Sequence, residues 1–111
     1  NHFSRSLGNI LKNAIQSIPQ GRDGKIRIEV TSTLDSCMIV VKDNGSGISA
    51  SMEHLIFVPN FSTKSSGSGL GLSIVKTFVE NAGGTISFTS SEQEGTAFTI
   101  KLPRYTESNP V

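Results

Sequence analysis

Residues 67–76 read GSGLGLSIVK. Gly67, Gly69 and Gly71 stand at alternate positions, and the run leads directly into a stretch with helical spacing. Such a segment brings bare backbone N–H groups and the positive end of a helix dipole to one place, which suits an anion, most often a phosphate. Glycine also lets the backbone come close to a ligand. The spacing is not the dinucleotide fingerprint, which needs G-x-G-x-x-G after a strand. Nor is it the P-loop, which closes on Gly-Lys-Ser/Thr. A flexible glycine turn capping a helix fits the same residues, so two readings stay open.

Downstream of the run, Leu70, Ile74, Val75, Phe78, Val79 and Ala82 form an apolar stripe, and Gly83-Gly84 ends the predicted helix 70–82. Residues 85–90 and 96–102 alternate and read as strands joined through a hairpin at 92–95. Upstream, Phe3, Leu7, Ile10, Leu11, Ala14, Ile15 and Ile18 follow helical spacing up to Pro19. A polar loop follows. Ile26, Ile28 and Val30 then alternate along a strand at 25–32. Residues 33–36 read as a turn. Residues 37–42 are apolar on both faces, which suits a central strand buried on both sides. A short helix is expected at 51–57, a loop at 58–68, and a frayed polar tail after 103. Helices and paired strands in this order predict an α+β two-layer sandwich, a mainly antiparallel sheet with helices on one face.

The chain has 111 residues, enough for one domain with its own core. Net charge is +1, so no strong field for nucleic acid or anionic membrane arises. The single Cys37 lies in an apolar run and reads as a buried structural thiol in a reducing compartment. No signal peptide or spanning apolar stretch is present in these residues. His2 and His54 have no nearby Cys or His, which argues against a zinc site.

Three constellations can carry chemistry. Asn9 and Asn13 lie four residues apart on the first helix, about 40° apart around it and pointing away from the apolar stripe. They fit a solvated face, or hard oxygen ligands for Mg²⁺ held between nucleotide phosphates. Residues 43–48, DNGSGI, close the central strand. Asn-Gly is a strong hairpin signal, but no returning strand follows. A carboxylate such as Asp43 at a buried strand end can accept from an adenine amino group, where guanine presents a carbonyl. The third is Phe57-Val-Pro-Asn-Phe61 followed by Ser62-Thr63-Lys64. Two aromatics can pin the base of a mobile loop. Lys64 fits either a phosphate partner or a solvated surface lysine.

Their order is specific jointly. Here the chain resembles the catalytic and ATP-binding domain of sensor histidine kinases, in the superfamily shared with gyrase B, the Hsp90 chaperones and MutL. LGNILKNAIQS resembles the family's N box, DNGSGI the G1 box, FVPNF the F box and GSGLGL the G2 box. Gly95-Thr96 resembles its closing G-T-x-F strand. The short lid between Phe61 and Gly67 looks most like the nitrogen-regulation type. The resemblance implies the Bergerat ATP-binding fold, a mixed and mainly antiparallel sheet, over residues 1–103, with 104–111 a flexible tail. It also implies that the chain begins after part of the family's first strand.

By position, the resemblance implies Asn13 as the Mg²⁺ ligand, assisted at the phosphates by Asn9. Asp43 would bind the adenine amino group, with Gly45, Gly47 and Ile48 around the ring and Thr96 supporting through water. Phe57 and Phe61 would anchor the lid. Lys64, Gly67, Ser68, Gly69, Leu70, Gly71 and Leu72 would hold the phosphates of ATP. The superfamily's ATPases carry a Glu general base four residues before the Mg²⁺-binding Asn. That position here is Asn9, which favours a kinase over a hydrolase. The family's phospho-accepting His sits on a dimerisation domain, and neither His2 nor His54 has its context. The partners implied are that dimerisation domain of the same full-length kinase and a downstream response regulator. Nucleic acid and direct membrane contact are not implied. The location implied is cytoplasmic, including the cytoplasmic part of a membrane-anchored sensor. A regulatory nucleotide-binding module and an anti-sigma-factor-type protein-serine kinase are the alternative readings.

Overall fold

The computed structural model describes residues 2–58, 71–91 and 93–103. Helix α1 spans His2–Ser17. Ser6, Ile10 and Ala14 are buried, and Leu7 and Leu11 pack against the core. Ile15 was expected in this stripe but is 62% exposed. It follows Ala14 directly and so sits about 100° further round the helix. The Ser17 hydroxyl donates to the Ala14 carbonyl at 2.8 Å, and Pro19 follows where no further turn can form.

Strands β1 (Ile26–Ser32) and β2 (Ser36–Asp43) form a hairpin. Its turn is closed by Thr33, whose N–H donates to the Ser36 carbonyl at 2.8 Å and whose hydroxyl oxygen accepts from the Ser36 N–H at 3.1 Å. A 3₁₀ helix at Ala50–Leu55 stands where a short helix was expected. Helix α2 (Gly71–Asn81) buries Val75 and Val79. Ile74, placed in its stripe by spacing, is 45% exposed. The helix closes with Gly84 N–H on the Val79 carbonyl and Gly83 N–H on the Glu80 carbonyl, a Schellman pattern. Strands β3 (Thr85–Ser91) and β4 (Gly95–Pro103) complete the regular structure of the described residues. The expected tail at 104–111 lies outside the described residues.

The sheet order is β1-β2-β4-β3, and every described pairing is antiparallel. Register sets the inner face in rows: Val30, Ile39, Ile100 and Ile86, then Ile28, Val41, Phe98 and Phe88. Both helices lie on this face. Helix α1 packs on α2 and β2, and α2 packs on β3 and β4. The expected two-layer α+β sandwich is therefore present. Strand β2 is central, as expected, but among the described residues helices cover one side only. Ile39 and Val41 are buried, while Met38 on the other face is 37% exposed. Edge strand β1 lies beyond the helices, so Ile28 and Val30 share rows with core residues yet stay exposed.

The core comprises Ile10, Ile39, Val41, Ile56, Val75, Val79, Phe98 and Ile100. Phe57 meets Phe88 and Phe98 edge-on at centroid distances of 6.0 and 6.5 Å. Such aromatic pairs contribute about 0.5–1.5 kcal/mol beyond their buried area. The cluster ties the segment after the 3₁₀ helix to the sheet beside the open end of β2. No helix among the described residues is long and apolar enough to cross a membrane.

Candidate functional site

The site is built where the β2–β4 ladder stops. Its last pair is Lys42 and Ala97. One residue on, the Asp43 side chain takes over from the backbone. Its Oδ1 accepts the Thr96 N–H at 3.2 Å and the Gly45 N–H at 2.8 Å. Asp43 is 5% exposed. Bonds from backbone N–H groups to a carboxylate are charge-assisted and hold it in one orientation. Both bonds fall on Oδ1.

The DNG turn is no hairpin loop; it is stapled to the loop between α1 and β1. The Asn44 Oδ1 accepts the Lys25 N–H at 2.8 Å, and its Nδ2 donates to the Asp23 carbonyl at 2.9 Å. Arg22 Nη1 donates to the Asn44 carbonyl at 2.7 Å and the Gly45 carbonyl at 3.1 Å. Ser46 N–H donates to the Ser17 carbonyl at 3.0 Å. Gly45 packs so close to Ser17 that a Cβ there would collide with the serine hydroxyl and carbonyl. These contacts bring the C-terminal end of α1, the Asn-bearing helix, against the Asp43 loop.

The far side of the loop is held by β3 and β4. Ile48 N–H donates to Ser90 Oγ at 2.7 Å, and Ser90 Oγ lies 3.0 Å from Thr96 Oγ1. Thr96 is 5% exposed. Gly95 has a φ of 91° and its backbone packs on the Asp43 carbonyl, so a side chain there meets both strain and collision. Gly47 is half-buried between these anchors, with a φ of 77°.

Asn9 and Asn13 are half-buried on α1. They flank the buried stripe where the spacing argument placed them opposite it: Asn13 is three residues beyond Ile10, about 60° round the helix. Phe57 is half-buried in the aromatic cluster, and Lys76 Nζ lies 5.4 Å from its ring centroid, within cation–π range. Gly71 opens α2, as the glycine run implied, and Leu72 packs on the core. Phe61, Lys64, Gly67, Ser68, Gly69 and Leu70 lie outside the described residues. The structure thus joins Asp43, Gly45, Ile48 and Thr96 in one hydrogen-bond network through Ser90, with Gly47 in the same loop. Sequence reading missed Ser90, Arg22, Asn44 and Ser17. Asn44 had a signal, as an Asx residue able to bond nearby backbone. The others had none, because their partners are set by register and loop packing.

Among the described residues no three His, Cys, Asp or Glu come together to hold a metal. The Asn9 and Asn13 carboxamides are hard, neutral oxygen donors. That set fits Mg²⁺, which takes few protein ligands and keeps phosphates and water around it.

The chain matches the family described as histidine kinase-, DNA gyrase B-, and HSP90-like ATPase over residues 1–106, and it belongs to that family. Sporulation kinase B of Bacillus subtilis (strain 168) is 41% identical over 101 residues, which is 91% of this chain and 23% of the relative. Sensor histidine kinase ZraS of Escherichia coli (strain K12) is 42% identical over 101 residues, 91% of this chain and 21% of the relative. The chain therefore spans less than a quarter of the length of these curated relatives. Among solved structures, a mycobacterial sensor histidine kinase, MprB, superposes with a TM-score of 0.79 at 32% identity, covering 92% of this chain and 72% of that one.

Proposed function

We propose that this chain binds Mg·ATP and donates the γ-phosphate to a histidine on a separate dimerisation domain, as the catalytic domain of a two-component sensor kinase. The observation that carries the reading is Asp43: a buried carboxylate fixed on Oδ1 by two backbone amides. Its Oδ2 accepts the adenine N6 amino group, with Gly47 and Ile48 beside the ring and Thr96 at its edge. Asn13, with help from Asn9, would hold Mg²⁺, which would supply charge neutralisation at the phosphates. The family resemblance assigns Lys64 and the 67–72 backbone to the phosphates, and Phe57 with Phe61 to the lid.

Phosphoryl transfer asks the protein for positioning and charge neutralisation. Asn9 cannot take a proton from water at the position where a hydrolase needs a base. ATP is then held for a better nucleophile, the imidazole of the acceptor domain. A response regulator receives the phosphate next, and the reaction belongs on the cytoplasmic side, where ATP is available.

The test is phosphotransfer. The chain is mixed with the dimerisation domain of its full-length protein and ATP radiolabelled at the γ-phosphate. Acid-labile, alkali-stable label on the acceptor is expected. ATP binding by calorimetry with no labelled acceptor would reduce the chain to a regulatory nucleotide-binding module.

A further inference from the structure

Strand β1 stands at one edge of the sheet, and all of its residues are exposed. Its hairpin with β2 shows which backbone groups it offers. Asn44 N–H donates to the Lys25 carbonyl at 3.2 Å, and Thr33 N–H to the Ser36 carbonyl at 2.8 Å. Bonding to the partner strand alternates along an antiparallel ladder. The odd-numbered residues of β1 therefore turn their N–H and C=O groups to β2, while Ile26, Ile28 and Val30 turn theirs outward. The same three put their side chains on the inner face, where they are 36%, 46% and 64% exposed. The pairing with β2 runs without a bulge, and IRIEVTS holds no proline, so neither device blunts this edge.

Arg27 and Glu29 occupy the opposite face, with side chains 73% and 43% exposed. They meet each other along the strand at 3.5 Å, a weak surface bridge. Across the ladder Arg27 faces Lys42, a like charge. A second IRIEV segment, antiparallel and centred on Ile28, complements each of these features. Ile28 then faces the partner's Ile28, and Ile26 faces the partner's Val30; each such pair exchanges two backbone hydrogen bonds. Between them Arg27 faces the partner's Glu29, twice by symmetry, with Cα atoms about 4.5 Å apart. A shift of two residues either way sets Arg27 against Arg27 or Glu29 against Glu29. A shift of one turns the apolar residues to the wrong face. A net charge of +1 adds little repulsion between copies. We propose that β1 is a self-association edge. A second copy of this chain adds its own β1 in this register, joining two four-stranded sheets into one.

Sedimentation equilibrium from micromolar to millimolar concentration tests this. The native chain should show a reversible monomer–dimer equilibrium. Arg27→Glu makes both charged pairs acid on acid, and Glu29→Arg makes both base on base. Each alone should raise the dimer dissociation constant at least about tenfold. Mixed in equal amounts, the two variants complement each other and should form a heterodimer with the native constant, within about threefold. Both side chains are exposed, so both variants should keep the native thermal melt. Amide hydrogen exchange on the native chain needs no variant: protection at Ile26, Ile28 and Val30 should rise as the dimer forms. A native chain that stays monomeric throughout would overturn the proposal. So would a dimer that leaves those three amides unprotected. Either variant dimerising as tightly as the native chain would place the contact elsewhere and overturn it too, as would a mixture of natively folded variants that fails to associate.

Discussion

Replacing Asp43 by Asn changes one atom's chemistry and little else. The amide oxygen can still accept the Gly45 and Thr96 N–H groups, now met at 2.8 and 3.2 Å by Oδ1. The fold should therefore survive, with a Tm shift below about 4 °C, the equivalent of about 1 kcal/mol in a domain of this size. At the place of Oδ2 the variant carries an NH₂, which points a donor at the donor N6 of adenine. The site is 5% exposed, so water offers little relief. Loss of one hydrogen bond to a buried charged acceptor costs about 1–3 kcal/mol, or a rise in Kd for Mg·ADP of roughly 5- to 150-fold. Calorimetric titration reads the Kd, and a thermal melt checks the fold. Asp43→Ala provides the contrast. It strands two backbone N–H groups and should lower the Tm as well as the affinity. Unchanged ADP affinity in Asp43→Asn, with the native chain binding ADP, would refute the assignment of Oδ2 to the base.

Three further outcomes follow from the packing. Gly95→Ala should destabilise the domain by at least about 1–3 kcal/mol, since a left-handed φ is strained for alanine and its Cβ collides with the Asp43 carbonyl; urea unfolding reads it. Phe98→Ala should cost about 3–5 kcal/mol by the same measurement, because its ring is 1% exposed at the centre of the aromatic cluster. Arg22→Ala removes two bonds to the Asn44 and Gly45 carbonyls from an exposed side chain, so its stability cost should stay near 0.5–1.5 kcal/mol. Faster amide hydrogen exchange confined to the residues around Asn44–Ser46 would show the brace directly, and native exchange there would exclude it.

What could be read in advance followed from local rules. Helical spacing ending at Pro19 and alternation in 25–32, 85–90 and 96–102 placed α1 and three strands within a residue or two. The loop around Asp43 also followed a local pattern, since DNGSGI closes an apolar strand without a partner strand after it. The failures share one cause. Periodicity says which residues share a face, not whether anything covers that face. Ile28 and Val30 alternate correctly, but their strand took the sheet edge beyond both helices. Met38 and Val40 made β2 look buried on both sides, yet the helices occupy one. Ser90 and Arg22 became visible only when register put one opposite Thr96 and loop packing put the other on Asn44. No sequence interval encodes either contact.

The central claim is that Asp43 anchors an adenine, and a crystal structure of this chain with Mg·ADP tests it most directly. The expected result places adenine N6 about 3 Å from Asp43 Oδ2, with both backbone bonds on Oδ1 retained. A nucleotide seated with its base away from Asp43, or with Oδ2 facing only solvent, would contradict it.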